Sequence, residues 1–242
     1  MNFKITNKYH LKFLQELEKY KGKGTKYQEE RDKYYTGSRK FSYNIKTSIK
    51  NLIVKNWIKR HPTISTGEYI ELLNSLYLLG QSHDERSIAG KLLKFLPQLR
   101  RQIDPLLLNK WLNGAEGWAE VDSICQSNFS AEEILSNWKT WKDLITNFAG
   151  DKNIHKKRAS LVLLTGPVRQ SPDPRLSKLA FDNIEKLKRE RDILITKAIS
   201  WLLRDLIKNN KEKVKEYLDK NKDSLPKIAV RETTRKLLTG RK

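Results

Sequence analysis

Apolar side chains recur at three- and four-residue spacing along nearly all of this 242-residue chain, and that periodicity is helical. No stretch shows the two-residue alternation and hairpin turns that a sheet requires. The pattern predicts a helix over 7–20 and a flexible Gly/Lys break at Gly22 and Gly24. Further helices are expected near 38–60, 66–80, 84–97, 102–113, 117–128, 130–148, 152–166, 174–188, 190–209, 211–221 and 225–238. His61-Pro62 ends one segment and Thr66 opens the next. Asp151 and Ser224 are expected to cap helices, and Gly166-Pro167 to start a loop. The expected fold is all-α, a superhelical solenoid of stacked antiparallel helix pairs with a concave binding face. An irregular helical bundle is the alternative. One domain is expected over 1–242, with a helical cap and basic break over 1–36 and a repeat body over 37–242.

Several classes of function are disfavoured at once. Cys125 is the only cysteine, which excludes an intramolecular disulfide and a Cys-based zinc cluster and fits a reducing compartment. His10, His61, His83 and His155 are scattered, so no metal site is expected. With neither a phosphate-binding loop nor a dinucleotide fingerprint, no cofactor is expected. No apolar run approaches the roughly 18–20 residues of a membrane span. Met1–His10 lacks the apolar core of a secretory signal, so a cytoplasmic protein with no membrane partner is expected.

Charge points to the partner. Lys and Arg number 49 against 28 Asp and Glu, a formal net charge of +21. Residues 1–60 hold +11 of it and residues 207–242 hold +7, leaving +3 between. An imbalance this large favours a polyanion, most often nucleic acid.

Three helices carry residues that a plain core does not explain. In 190–209, Ile195, Ala198, Ile199, Leu202 and Leu206 form one stripe, and Lys197, Trp201, Arg204 and Lys208 fall opposite. A tryptophan among three cations suits a sugar or base beside phosphates, unless a neighbouring helix covers it. In 152–166, Arg158 projects within the stripe of Ile154, Leu161 and Val162. There it needs a carboxylate, a phosphate or a wet groove, and a structural ion pair would also serve. In 117–128, Asp122 edges the stripe of Val121, Ile124 and Cys125, and Trp118 lies one turn earlier. A carboxylate repels phosphate, so its place beside an aromatic ring in a basic chain suggests chemistry on a cation. Pairing with Arg158 is the structural alternative. Trp57, Trp111, Trp138 and Trp141 are expected to pack.

These same residues carry a family resemblance. GWAEVDSIC at 117–125 resembles the W-D-x-V-D-x motif of the AlkD-like family of DNA alkylation repair glycosylases. NIHKKRAS at 153–160 is similar to that family's N-x-W-x-x-R-A segment, and TKAISWLLR at 196–204 to its K-A-I-G-W-x-L-R-E block. Order and spacing agree, and the likeness runs from about Lys33 to the C-terminus, strongest over 115–236. Ala119 stands where the family often has a second acid, and Gly117 and His155 replace common aromatic residues.

The resemblance implies a HEAT-like superhelix with duplex DNA in its groove. It implies a monofunctional glycosylase that removes cationic N-methylated purines, such as 3-methyladenine and 7-methylguanine, with the lesion still stacked. By position, Trp118, Asp122 and Trp201 match the catalytic cleft, and Arg158 the arginine on the backbone near the lesion. Lys157, Lys197, Arg204, Lys208 and Arg231 are the further expected DNA contacts, and a monomer is expected. The alternative is a non-catalytic HEAT-like DNA- or RNA-binding protein, which explains the charge but not Asp122 beside Trp118.

Overall fold

Local capping chemistry and helical periodicity translate directly into thirteen α-helices and one π turn among the described residues, 4–24 and 37–240 of a computed structural model. No strand occurs among them, only an isolated bridge between Phe41 and Ser82. Two compact units divide the chain, residues 1–124 and 125–242.

The first unit holds α1 (Lys8–Lys19), α2 (Thr47–Arg60), α3 (Thr66–Asn74) running into a π turn (Ser75–Leu79), and α4 (His83–Phe95). Three shorter helices follow: α5 (Pro97–Arg100), α6 (Leu107–Asn113) and α7 (Gly117–Cys125), whose last residue begins the second unit. Asn7 caps α1 by accepting from the Tyr9 and His10 amides. Ser65 and Ser82 each build a reciprocal capping box, with Glu68 and Glu85. Helix α4 is the centre, packing on α1, α2, α5 and the π turn. Phe13 and Tyr9 meet the Trp57 ring, and Tyr77 stacks on Trp111 at 4.9 Å.

Three of the expectations that fail here meet specific hydrogen bonds. The helix expected over 38–60 begins only at Thr47. Asp84 on α4 accepts from the Tyr43 amide at 2.7 Å, the Ser42 hydroxyl and the Lys50 ammonium at 2.8 Å, which ties 42–43 down outside the helix, and Asn44 follows with a positive φ of 52°. The break at Gly22 and Gly24 is pinned, since both amides donate to the carbonyls of Tyr43 and Asn44. The helix over 66–80 widens in its last turn, where Ser75 bonds His10 Nδ1 at 2.7 Å and His10 Nε2 meets Glu85 at 2.8 Å. The expected basic break continues over 25–36, outside the described residues.

The second unit holds α8 (Ala131–Ser136), α9 (Trp138–Gly150), α10 (Ile154–Gln170), α11 (Pro174–Leu187), α12 (Ile193–Asn221) and α13 (Lys227–Thr239). Helix α10 packs on α8, α9, α11 and α12, and α12 on α10, α11 and α13. The order α9, α10, α11, α12 therefore folds into two layers, α9 beside α11 and α10 beside α12. Gly166-Pro167 does not end α10, which continues to Gln170 with Pro167 inside it. Asn153, not Asp151, caps α10, and Asp151 accepts from the Asn153 amide instead. The helices expected over 190–209 and 211–221 form one long element kinked at Asn210, where the backbone leaves helical angles. Ser224 does not cap α13; its hydroxyl donates to the Asn221 carbonyl and Pro226 takes the cap position.

Candidate functional site

Helix α7 brings Trp118 and Asp122 to one face, as the four-residue spacing requires. Asp122 is 7% exposed, while Trp118 stays partly open. Val121, Ile124 and Cys125 fill the buried side.

What positions α7 is a residue the sequence reading passed over. Glu120 is 1% exposed and accepts from the Ser38 hydroxyl at 2.8 Å, the Lys40 ammonium at 3.1 Å and the Glu116 amide at 2.9 Å. Arg86 Nε lies 3.4 Å and His83 Nδ1 3.7 Å from it. Burial alone would raise its pKa, but His83, Arg86, Lys40 and the Glu116 amide outweigh burial and pull it to about 2. The segment 37–40 is thereby strapped across the start of α7, with the Arg39 amide on Glu116 at 2.8 Å. Two glycines make that approach: a Cβ on Gly37 would stand 3.1 Å from the Gly117 Cα, and both have positive φ. A side chain at Gly117 would be strained at its φ of 66°. Below, α4 meets α7 so closely that a Cβ on Gly90 would sit 2.4 Å from the Ser123 carbonyl oxygen. Glu120 was legible by the test that picked out Asp122: it is a charge four residues before buried Ile124, on the apolar stripe.

The other candidates lie in the second unit, on α10, α12 and α13. Arg158 is 5% exposed, and its guanidinium donates to the Leu194 carbonyl at 2.6 Å, at the start of α12. A backbone carbonyl is thus one partner that the sequence reading had not considered. Lys157, half-buried beside it, pairs with Glu190. On α12 the stripe Ile195, Ala198, Ile199, Leu202 and Leu206 is fully buried, and Lys197 and Lys208 are exposed opposite. Trp201 is partly exposed on that outer side. Arg204 donates to the Ser200 carbonyl at 3.0 Å and stands 3.3 Å from Glu232 of α13. Arg231 is exposed, with Nη2 3.9 Å from Glu232. Lys197, Lys208 and Arg231 are therefore the cations most open to an incoming phosphate, whereas Lys157 and Arg204 already hold a carboxylate.

A second buried acid also went unread. Asp205, 1% exposed, follows Trp201 by one turn and faces Arg169 at 3.4 Å, the same Trp-then-Asp spacing as on α7. Of the tryptophans expected to pack, Trp57, Trp111 and Trp141 are buried, and Trp138 is not. Among the described residues no group of three His, Cys, Asp or Glu side chains is arranged to hold a metal ion, and no helix is long and apolar enough to cross a membrane.

Comparison with known proteins gives these residues a context. The sequence matches the model of a family described as DNA alkylation repair enzyme over residues 14–237. That match starts earlier than the resemblance visible by eye. No curated protein matches the sequence. Among solved structures, the chain is similar to one described as a predicted DNA alkylation repair enzyme from Enterococcus faecalis. The TM-score is 0.73 at 17% identity, over 89% of this chain and 97% of that one. At that identity the likeness speaks for the fold.

Proposed function

The chain belongs to the family of DNA alkylation repair enzymes, and on that premise we propose that it is a monofunctional DNA glycosylase acting on cationic alkylated purines in duplex DNA. The substrates proposed are 3-methyladenine and 7-methylguanine nucleotides. The observation that carries this reading is Asp122, a buried carboxylate one turn from the partly open Trp118 on a helix clamped by the Glu120 network.

The chemistry needs little from the protein. Methylation at N3 or N7 makes the purine a cation, so when the bond from C1′ to N9 breaks, its electron pair returns to the ring and the base leaves neutral. No general acid is required. The deoxyribose gathers positive charge instead, and the Asp122 carboxylate stabilises it. Asp122 also orients the water whose oxygen bonds to C1′, and the water's proton passes to the carboxylate and on to solvent. Trp118 and Trp201 offer π faces to the cationic nucleotide, each worth roughly 0.5–2 kcal/mol. Lys197, Lys208 and Arg231 are proposed to meet phosphates directly. Arg158 is proposed to bear on the backbone near the lesion, its fork oriented by the Leu194 carbonyl. Lys157 and Arg204 must exchange Glu190 and Glu232 for phosphate to take part. The HEAT-like superhelix, the single repeat domain, the monomeric state and a place in the cytosol or nucleoid belong to the same proposal.

The test is release of free methylated base from duplex DNA treated with a methylating agent. The expected result is 7-methylguanine or 3-methyladenine in the supernatant. Salt-dependent DNA binding with no release at high protein concentration would contradict it and favour the non-catalytic binder.

A further inference from the structure

A basic groove lies in one layer of the second unit. It runs between α9 and α11, with a cavity of about 420 Å³ open to solvent. Trp138, Lys142 and Thr146 line one wall at four-residue steps. Arg175, Lys178, Asp182 and Lys186 line the other, spaced three and four apart. These spacings put each set on one helix face, so the groove has two parallel polar edges.

The charge is one-sided. Lys142, Arg175, Lys178 and Lys186 oppose Asp182 in the lining; Lys178 holds Asp182 at 2.8 Å and Arg175 holds Asp173, so these two must exchange a carboxylate for phosphate, and Lys142 and Lys186 are the open cations. Arg175 is held in place, bound through Nε and Nη2 to Asp173, with its guanidinium 5.5 Å over the Trp138 ring. That arrangement turns the Nε and Nη2 edge of the fork to Asp173 and covers a face of the indole, so the ring serves as a platform for Arg175. From Arg175 to Lys186 the cations extend about 16 Å along the helix, at 1.5 Å per residue. A row of that length exceeds a single phosphate and matches several successive phosphates of a nucleic-acid strand. Duplex DNA, with one charge per about 1.7 Å of axis, fits a row of cations best. The candidate residues of this unit, Trp201 for catalysis and Arg158 for the DNA backbone, sit on α12 and α10 in the other layer.

We propose that the α9–α11 groove is a second contact for the backbone of duplex DNA, so that one chain holds two DNA segments. This goes beyond the glycosylase reading and rests on it only for the first DNA contact; bridging is read without base release, so the failure of either is distinguishable. The experiment is capture of a fluorescent unmodified short duplex by bead-tethered duplex through the full-length protein at low salt. The native chain is expected to bridge the two. The variant Lys142→Gln/Lys178→Gln/Lys186→Gln, altered only at exposed side chains, is expected to lose bridging at least tenfold. Its affinity for one duplex should stay within twofold, and its release of methylated base should equal that of the native chain. The Lys→Arg triple should bridge normally, which separates charge from fold. A native chain that does not bridge would overturn the proposal, as would Gln variants that bridge equally, which would point to self-association. Capture confined to single strands or to acidic peptides would also overturn it.

Discussion

Glu120 takes a negative charge into the interior, and its neighbours make that tolerable. Its pKa, about 2 against 4.5 for an ordinary glutamate, means that the folded state binds a proton less readily than the unfolded one. The stabilisation is therefore fully present above about pH 4.5 and is lost as pH falls toward 2. Replacing Glu120 by Gln removes the buried charge that faces Lys40 and Arg86, which keep Glu116 and the Tyr77 carbonyl, and should destabilise the first unit by about 1–3 kcal/mol at neutral pH. The drop in stability between pH 4.5 and 2 should shrink in the same variant, and acid titration followed by circular dichroism checks both. If E120Q unfolds at the native pH midpoint, Glu120 does not hold α7. Helix-face arithmetic singles out Asp122, Arg158 and Trp201 as candidates, because each departs from the face it should occupy, and Trp118 by its spacing from Asp122. Glu120 and Asp205 depart equally but needed partners far along the chain, Lys40 and Arg169, to acquire meaning.

Several helix starts follow a short polar residue, while others shift by two residues, as at Asp151 and Ser224, or yield to a distant group. Asn7, Ser65, Ser82 and Ser130 cap as short polar residues do, each accepting from amides two or three residues on. Thr47 begins its helix late because Asp84, far along the chain, captures the Tyr43 amide and the Ser42 hydroxyl. Pro167 sits inside α10 because the sequence signal for a break acts on only one hydrogen bond, while residues 159–168 are buried throughout. Ser82→Ala should remove a buried cap from α4 and cost about 1–2 kcal/mol in a denaturant titration. Gly90→Ala should do more, since the methyl meets the Ser123 carbonyl and pushes α7 away from α4. A loss of about 1–3 kcal/mol is expected, together with reduced base release. A Gly90→Ala protein of native stability and activity would show that α4 does not set the position of α7.

At the scale of the molecule, a net charge of +21 governs association more than fold. The all-helical architecture was legible because its period is written in every segment, whereas the widened turn at Ser75 and the kink at Asn210 answer to packing. Binding to unmodified duplex should fall about 10³–10⁵-fold between 50 and 200 mM salt if six to ten phosphates are engaged. Fluorescence anisotropy across that range checks it, and salt-insensitive binding would contradict a backbone-dominated grip. The central claim is that Asp122 does chemistry in a protein whose other features serve binding. It is tested most directly by single-turnover release of 7-methylguanine from a duplex carrying one lesion, measured alongside duplex affinity for the native chain and Asp122→Asn. The variant is expected to bind equally or slightly more tightly and to release base about 10²–10³-fold more slowly. Equal release rates in the two proteins would contradict the claim.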